Sequence, residues 1–147
     1  CCRRLQTSHF ETWIDGLVRA PDSSTRQFTR TLLARHESPP SLPSIEIPGF
    51  DMLLLCWKPQ AVSLIHDHPE ASCWMKVLKG TLKETRYTKG RRRILEETSN
   101  LTYAAGGVTY IEDSMGFHKM ANPSPTEESV SLHLYAPGIT KCSTWSD

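Results

Sequence analysis

Ser63-Leu64-Ile65-His66-Asp67-His68 is a strand-like segment in which one residue separates two histidines. Side chains of a strand alternate between its two faces, so His66 and His68 point the same way. Two imidazoles at this spacing can both reach one metal ion. An isolated pair of this kind is more often an accidental surface repeat, so the neighbouring sequence decides its meaning.

The sequence that follows this pair has a fixed spacing. Cys73 comes after a gap of four residues, and Gly80 after six more. Further along, Gly107 precedes His118, and Asn122 follows His118 after three intervening residues. These two segments match the two motifs of the cupin family. The resemblance implies a cupin barrel, a double-stranded β-helix or jelly roll, with His66, His68 and His118 as metal ligands.

The match to these motifs has four departures, one of which is Gln60 in place of the opening glycine of the first motif. Cys73 stands where the first motif has a glutamate, Asp113 stands at a proline position, and Gly116 is displaced by one residue. Without the glutamate, three neutral imidazoles leave the charge of a divalent metal uncompensated, so the metal can accept an anionic thiolate. Cys73 as a fourth ligand remains an alternative, and so does Glu70.

The pattern of short apolar segments and turns predicts a mainly β protein of one domain, 1–147, with the barrel at 50–147. Many short segments separated by turn signals are typical of a sandwich or barrel. Helical spacing of apolar residues predicts a helical N-terminal segment, 1–36, in which 27–35 is a second short helix or extended. A proline-rich loop, 37–49, follows. The candidate strands are 51–57, 61–66, 73–78, 81–87, 93–97, 101–104, 108–112 and 129–135.

The composition argues against several classes of protein. A net charge of +1 argues against a nucleic-acid partner, and no apolar run is long enough to span a membrane. Five cysteines without a C-x-x-C pair fit neither a zinc knuckle nor a disulfide framework. The cysteine content therefore predicts a reducing compartment, the cytoplasm, and we also expect a monomer. Because the first residue is Cys1, we expect a fragment, a processed form or an incomplete gene model.

Several further segments narrow the resemblance to one family. They are Phe28–Leu33, Leu55-Cys56-Trp57, Leu78–Thr85, Asp113–His118 and Ser131–Pro137. Together with the histidine pair and Cys73, they resemble the cysteine dioxygenases over about 50–145, and the resemblance reaches upstream in one more place, Phe28–Leu33. The resemblance implies that Fe(II) is the metal and that L-cysteine reacts with O2 to give cysteine sulfinate.

The same resemblance implies roles for individual residues. Cys73 and Tyr135 would form a thioether crosslink, and His133 and Ser131 would orient the tyrosine hydroxyl. The alternation of the last strand independently places Ser131, His133 and Tyr135 on one face. A polar face inside a barrel needs partners, which favours a site there.

The substrate would be held by residues from two upstream segments. The resemblance implies that Arg30 pairs with the substrate carboxylate, and a guanidinium suits this role because it binds a carboxylate through two parallel hydrogen bonds. Phe28 and Trp57 would complete the substrate site. The family usually has tyrosine at the position of Phe28, so one hydroxyl is lost here.

Other functions stay open from the sequence alone. A sister enzyme would oxidise another small thiol, such as 3-mercaptopropionate or cysteamine. A non-catalytic cupin would bind metal or a small ligand for sensing or storage. A zinc hydrolase is a further alternative, because zinc also accepts three imidazoles.

Overall fold

The computed structural model of the protein describes residues 27–37, 49–90, 94–139 and 142–145. Within these ranges no helix has the length and apolarity needed to cross a bilayer. The described residues form strands and one short 3-10 turn, Asp113–Met115. The strands are β1 (Phe28–His36), β2 (Phe50–Trp57), β3 (Ile65–His66), β4 (Ser72–Lys79), β5 (Thr81–Lys89), β6 (Leu95–Ala104), β7 (Val108–Glu112), β8 (Phe117–Ala121), β9 (Ser129–Ala136) and β10 (Thr144–Trp145).

The strands form two five-stranded sheets. One sheet has the order β1-β2-β9-β4-β7 and the other β10-β3-β8-β5-β6. Neighbouring strands pair antiparallel. Apolar side chains from both sheets meet in one cluster, so the sheets pack face to face. This architecture confirms the predicted cupin barrel.

The alternation of buried and exposed residues shows which face of each strand lines the barrel. On β4, Cys73, Met75 and Val77 are buried, whereas Trp74 and Lys76 between them are exposed. The main core cluster consists of Leu55, Trp57, Ala61, Met75, Val77, Leu82 and Met120. On β9 the inward face is polar instead, so the barrel contains a second, hydrogen-bonding region beside its apolar core.

The predicted helical segment 1–36 is wrong in its described part. Phe28–His36 is strand β1, which pairs along its length with β2, so the extended alternative for 27–35 is the correct one. Pairing with an apolar strand and stacking of Phe28 on Trp57, with centroids 4.5 Å apart, outweigh the local helical pattern. Residues 1–26 and 38–48 lie outside the described residues.

Other strand boundaries also differ from the prediction. Residues 95–97 of the candidate 93–97 and all of the candidate 101–104 belong to one continuous strand, β6, whereas residue 93 lies outside the described residues. The segment 61–66 contains only the two-residue strand β3. Strands β8 and β10 were not predicted. The strand β8 lies between β3 and β5 and carries His118, so its identification depends on pairing rather than on its own composition.

Two glycines make turns that a side chain would obstruct. Gly80 joins β4 to β5 with φ +72°, and a Cβ there would lie 2.5 Å from Ser129 Oγ. Gly116 precedes β8 with φ +94°, and a Cβ there would lie 2.5 Å from the carbonyl oxygen of Tyr87. Both positions require a residue without a Cβ. The displaced glycine of the second motif therefore still sets the direction in which the chain approaches His118.

The motif asparagine, Asn122, ties three chain segments together. Its amide nitrogen donates to the carbonyl oxygens of Trp57 at 3.3 Å, Lys58 at 3.0 Å and Glu127 at 2.7 Å. Its side-chain oxygen accepts from the backbone N–H of Ser124 at 3.1 Å. Asn122 is buried, so water could not replace its amide as the hydrogen-bond partner of these backbone groups.

We expect Asn122→Ala to lower the free energy of unfolding by about 3 kcal/mol, because it leaves several buried backbone groups unpaired. Urea denaturation measures this loss. The matched control is Asn100→Ala on β6, where the side chain is exposed and bonds only to nearby Glu97. That control should change stability by less than about 0.5 kcal/mol. Equal effects of the two substitutions would contradict this role of Asn122.

Candidate metal centre

Three histidines converge inside the barrel because of strand pairing. His66 on β3 pairs directly with His118 on β8, and His68 lies two residues beyond His66. The ring centroids are 4.6 to 5.1 Å apart. One nitrogen of each ring lies within 4.8 Å of those of the other two. The three histidines predicted as ligands are therefore brought together.

Hydrogen bonds fix the tautomers of two of these rings. Nδ1 of His66 lies 3.0 Å from the carbonyl oxygen of Leu64, and Nδ1 of His118 lies 2.8 Å from Oε1 of Glu84. Both acceptors need a donor, so each Nδ1 carries the proton and each Nε2 carries a lone pair. The two Nε2 atoms face each other at 3.2 Å. Two lone pairs at this distance repel each other, whereas a metal ion between the two atoms would be coordinated by both.

His68 lacks any partner among the described residues. It is 1% exposed, and neither of its ring nitrogens makes a hydrogen bond. Burial lowers the pKa of His68 to about 2 and that of His66 to about 4, with the charge of His118 as the second cause. Neutral imidazoles with free lone pairs are the form that binds a metal. These residues therefore fit a metal ion.

Cys73 and Glu70 do not join this group. Within the described residues, the only cluster able to hold a metal ion consists of His66, His68 and His118. Glu70 is exposed. The Sγ atom of Cys73 instead lies 3.8 Å from Nδ1 of His133. The sequence alternatives of a fourth ligand from Cys73 or Glu70 find no support in this geometry.

Glu84 is a site residue that the sequence reasoning missed. It lies on β5 and is 1% exposed. Its Oε1 accepts from His118, whereas its Oε2 accepts from Thr109 Oγ1 at 2.9 Å, Tyr103 Oη at 3.1 Å and Arg86 Nη2 at 3.2 Å. A carboxylate two residues after the fully buried Leu82 is the signal that could have found it, because both side chains face inward.

The carboxylate of Glu84 is ionised despite its burial. Burial by itself raises its pKa, but the hydrogen bond and charge of His118, the charge of Arg86 and the Thr109 bond together bring the pKa to about 2. Arg86 is held in turn by Thr109 at 3.0 Å and by the carbonyl oxygen of Tyr110 at 2.7 Å. An anion thus lies directly behind one of the three imidazoles.

A second hydrogen-bonded chain crosses the inward face of β9. Trp57 Nε1 donates to Ser131 Oγ at 2.9 Å, and Ser131 Oγ lies 2.9 Å from Nε2 of His133. Because the hydroxyl accepts from Trp57, its own proton is available to His133. Nδ1 of His133 then carries a proton directed at the sulfur of Cys73. Burial lowers the pKa of His133 to about 3, so this ring is neutral as well.

Cys73 and Tyr135 are direct partners across β4 and β9. Both side chains are buried in one small cluster with Ile111. Burial raises the pKa of the Cys73 thiol to about 12 and also raises the pKa of Tyr135. The ring of Tyr135 stacks on those of His68 and His133, each with centroids 6.1 Å apart. His133 bonds to Ser131 and Cys73, and so reaches Tyr135 by stacking rather than by the expected hydrogen bond to its hydroxyl.

Arg30 lines a cavity of about 340 Å³ beside His66. Phe28, Cys142 and Thr144 contribute to the same wall, and the Arg30 guanidinium carbon lies 5.3 Å from the Phe28 ring centroid. Within the described parts of the chain, no carboxylate forms an ion pair with Arg30. Trp57, also expected to bind substrate, does not line this cavity. It lies behind Phe28 with 2% exposure.

Comparison with known proteins identifies the family of this chain. The family model described as "Cysteine dioxygenase type I" matches residues 46–147. The chain belongs to the cysteine dioxygenase type I family. "Cysteine dioxygenase type 1" of Rattus norvegicus is 40% identical over 95 residues, which are 63% of this chain and 48% of the relative. The protein of the same description from Danio rerio is 37% identical over 99 residues, covering 65% of this chain and 49% of the relative.

This member of the cysteine dioxygenase family spans about half the length of the curated relatives that it matches. Solved structures place its fold among the cupins. An oxalate oxidase in complex with glycolate has a TM-score of 0.58 at 18% identity, covering 83% of this chain and 57% of that chain. A double-stranded β-helix protein from Klebsiella pneumoniae also has a TM-score of 0.58 at 18% identity, with full coverage of both chains.

We expect His68→Leu to separate metal binding from folding. The buried, unpartnered imidazole of His68 destabilises the metal-free protein, so leucine should leave the metal-free melting temperature equal or higher. The rise in melting temperature on adding Fe(II) or Co(II) under anaerobic conditions should disappear. His36→Leu, at an exposed position, is the control and should keep that rise. A metal-dependent rise that survives in His68→Leu would contradict the assignment.

Proposed function

We propose that this protein is an Fe(II)-dependent thiol dioxygenase that converts L-cysteine and O2 to cysteine sulfinate. The observation that carries the proposal is the pair of facing Nε2 atoms of His66 and His118, 3.2 Å apart, beside a cavity lined by Arg30, which has no ion-pair partner among the described residues. The relatives described as cysteine dioxygenase type 1 support the same reaction.

The metal would be held by His66, His68 and His118. Three imidazoles suit Fe(II), and bound there it would supply Lewis acidity toward a thiol and redox chemistry toward O2. The other contributions come from the protein. The barrel interior keeps the His66 and His68 rings neutral, so that their nitrogen lone pairs are available to a metal.

Arg30 would bind the substrate carboxylate. Its charge is close enough to lower the pKa of both His66 and His133, so it lies near the inner site as well as the cavity. A guanidinium without a carboxylate partner can form two parallel hydrogen bonds to an amino-acid carboxylate. Such a clamp would orient the thiol end of cysteine toward the histidines and lower the entropic barrier to reaction.

Tyr135 would place its hydroxyl against the reacting oxygen and sulfur atoms. Its raised pKa keeps the hydroxyl protonated, so it acts as a hydrogen-bond donor that stabilises developing negative charge. The chain from Trp57 through Ser131 and His133 to Cys73 limits the movement of Cys73. Stacking between His68 and His133 limits the movement of the Tyr135 ring.

The direct pairing of Cys73 with Tyr135 supports a thioether crosslink. Its formation would break the S–H bond of Cys73 and one ring C–H bond of Tyr135, and would form one C–S bond. The electron pair and the protons released would pass to O2, the oxidant of the proposed reaction. The Cys73 thiol is buried and neutral, and Tyr135 is held beside it. This arrangement suits a slow crosslinking reaction that occurs once in each molecule.

Oxygen consumption tests the reaction. Iron-loaded protein should consume O2 with L-cysteine and yield the sulfinate, identified by mass, in preference to 3-mercaptopropionate and cysteamine. Zinc-loaded protein should consume none, since zinc has no redox chemistry. Uptake only with a different thiol would overturn the substrate. A folded, iron-loaded protein that oxidises no thiol would instead be a non-catalytic metal-binding cupin.

Arg30→Gln tests the carboxylate clamp. Losing a charged hydrogen-bonding partner is worth roughly 1.5–3 kcal/mol, so KM for L-cysteine should rise about 10- to 100-fold. Any turnover of cysteamine, which has no carboxylate, should keep its KM. Lys76→Gln, an exposed cation on β4, is the control. An equal change for both substrates would show that Arg30 does not recognise the carboxylate.

Cys73→Ser tests the crosslink. After turnover with iron and cysteine, intact mass spectrometry of the unsubstituted protein should show a species lighter by a pair of hydrogens, and peptide mapping should join β4 to β9. The Ser variant should lack this species, whereas Cys56→Ser, in a buried β2 position away from Tyr135, should retain it. A crosslink that persists in Cys73→Ser would exclude Cys73 as the donor.

A further inference from the structure

We propose that Glu84 is a positioning residue for His118 and supplies, from outside the ligand set, the negative charge that the first motif lacks. Cys73 stands at the motif position where a carboxylate would otherwise enter the site. Glu84 places a carboxylate on the opposite side of His118, with its Oε1 at 2.8 Å from Nδ1. The inference rests on the proposed metal site and assigns a residue that the motifs do not include.

The two oxygens of Glu84 have separate tasks. Oε1 has His118 as its hydrogen-bond partner, whereas Oε2 accepts from Thr109, Tyr103 and Arg86. Three donors on one oxygen fix the orientation of the carboxylate, so the other oxygen cannot rotate away from the imidazole. A carboxylate only accepts, so His118 must keep its proton on Nδ1 and direct the lone pair of Nε2 at the site.

The negative charge of Glu84 favours metal binding in addition to orienting His118. Neutral histidines alone leave a divalent ion uncompensated, whereas an anion hydrogen-bonded to a ligand makes that ligand more basic. Arg86 offsets part of this charge through Oε2, at 3.2 Å, but Oε1 remains the oxygen that faces His118, at the shorter distance of 2.8 Å. Thr109 also bonds to Oε2, so the supporting network can be changed separately from the contact with His118.

Glu84→Gln should weaken this site selectively. If the amide oxygen faces His118, the amide NH2 meets the donors of Arg86 and Thr109. If the amide is turned round, its NH2 faces Nδ1 and forces the proton of His118 onto Nε2. Both orientations disfavour coordination, and outer carboxylates of this kind typically contribute 10- to 100-fold to metal affinity. A purely structural residue would change stability without this loss.

The first experiment is an anaerobic Co(II) titration followed by visible absorption, compared with thermal unfolding of the metal-free proteins. We expect Kd to rise 10- to 100-fold in Glu84→Gln and the cobalt band to shift. Thr109→Val should lower the melting temperature with less than about threefold change in Kd. Unchanged affinity in Glu84→Gln, or an equal loss of affinity in Thr109→Val, would overturn the positioning role.

The second experiment needs no variant and stands even if Glu84→Gln does not fold. Long-range proton–nitrogen NMR of the metal-free protein should show His118 protonated at Nδ1 and bare at Nε2 near neutral pH. The opposite tautomer would overturn the inference. Wild-type protein that binds Co(II) but oxidises no thiol would refute the proposed reaction and leave this role of Glu84 intact. If Glu84→Gln oxidised cysteine normally and bound Co(II) with unchanged Kd, the positioning role of Glu84 would be refuted and the proposed reaction would stand.

Discussion

The Nε2 atoms of His66 and His118 lie 3.2 Å apart, although hydrogen bonds on the far side of each ring make both atoms acceptors. Two lone pairs at this distance repel, so the fold must hold them together until a cation intervenes. The strands supply that restraint. β3 pairs with β8 on one side and with β10 on the other, and the Asp67 carboxylate accepts from the backbone N–H of Ser143 at 2.6 Å to fix this second contact.

The barrel interior satisfies its polar groups unevenly. Glu84 and Ser131 are buried and have hydrogen-bond partners, and each belongs to a hydrogen-bonded chain that includes a histidine. Among the buried side-chain nitrogen and oxygen atoms of the described residues, those without a partner are both ring nitrogens of His68 and Nε of Arg86. Buried polar atoms are rarely left unpaired, so the unpartnered imidazole marks the part of the interior adapted to something other than stability.

The sequence predicted the barrel and the histidine cluster because both depend on short-range spacing. Alternation on a strand brings His66 and His68 to one face without any knowledge of tertiary structure. It did not predict β8, and it left β1 open between a short helix and an extended segment. Both strands are defined by their pairing partners, and β1 carries an apolar pattern compatible with a helix. Glu84 was missed for a related reason. A glutamate in a strand is ordinarily solvated, and only the register of β5 with β8 brings it behind His118.

The pairing of Cys73 with Tyr135 also has a consequence for the unfolded chain. A covalent bond between them would close a loop of roughly 60 residues that includes β5, β6, β7 and β8. By the chain-entropy relation used for disulfides, a loop of that size restricts the denatured ensemble by about 4 kcal/mol. The crosslink, once formed by oxidation, would then stabilise the fold as a disulfide does, in a chain without disulfides among its described cysteines. Molecules that had reacted would be harder to unfold and degrade than newly made ones.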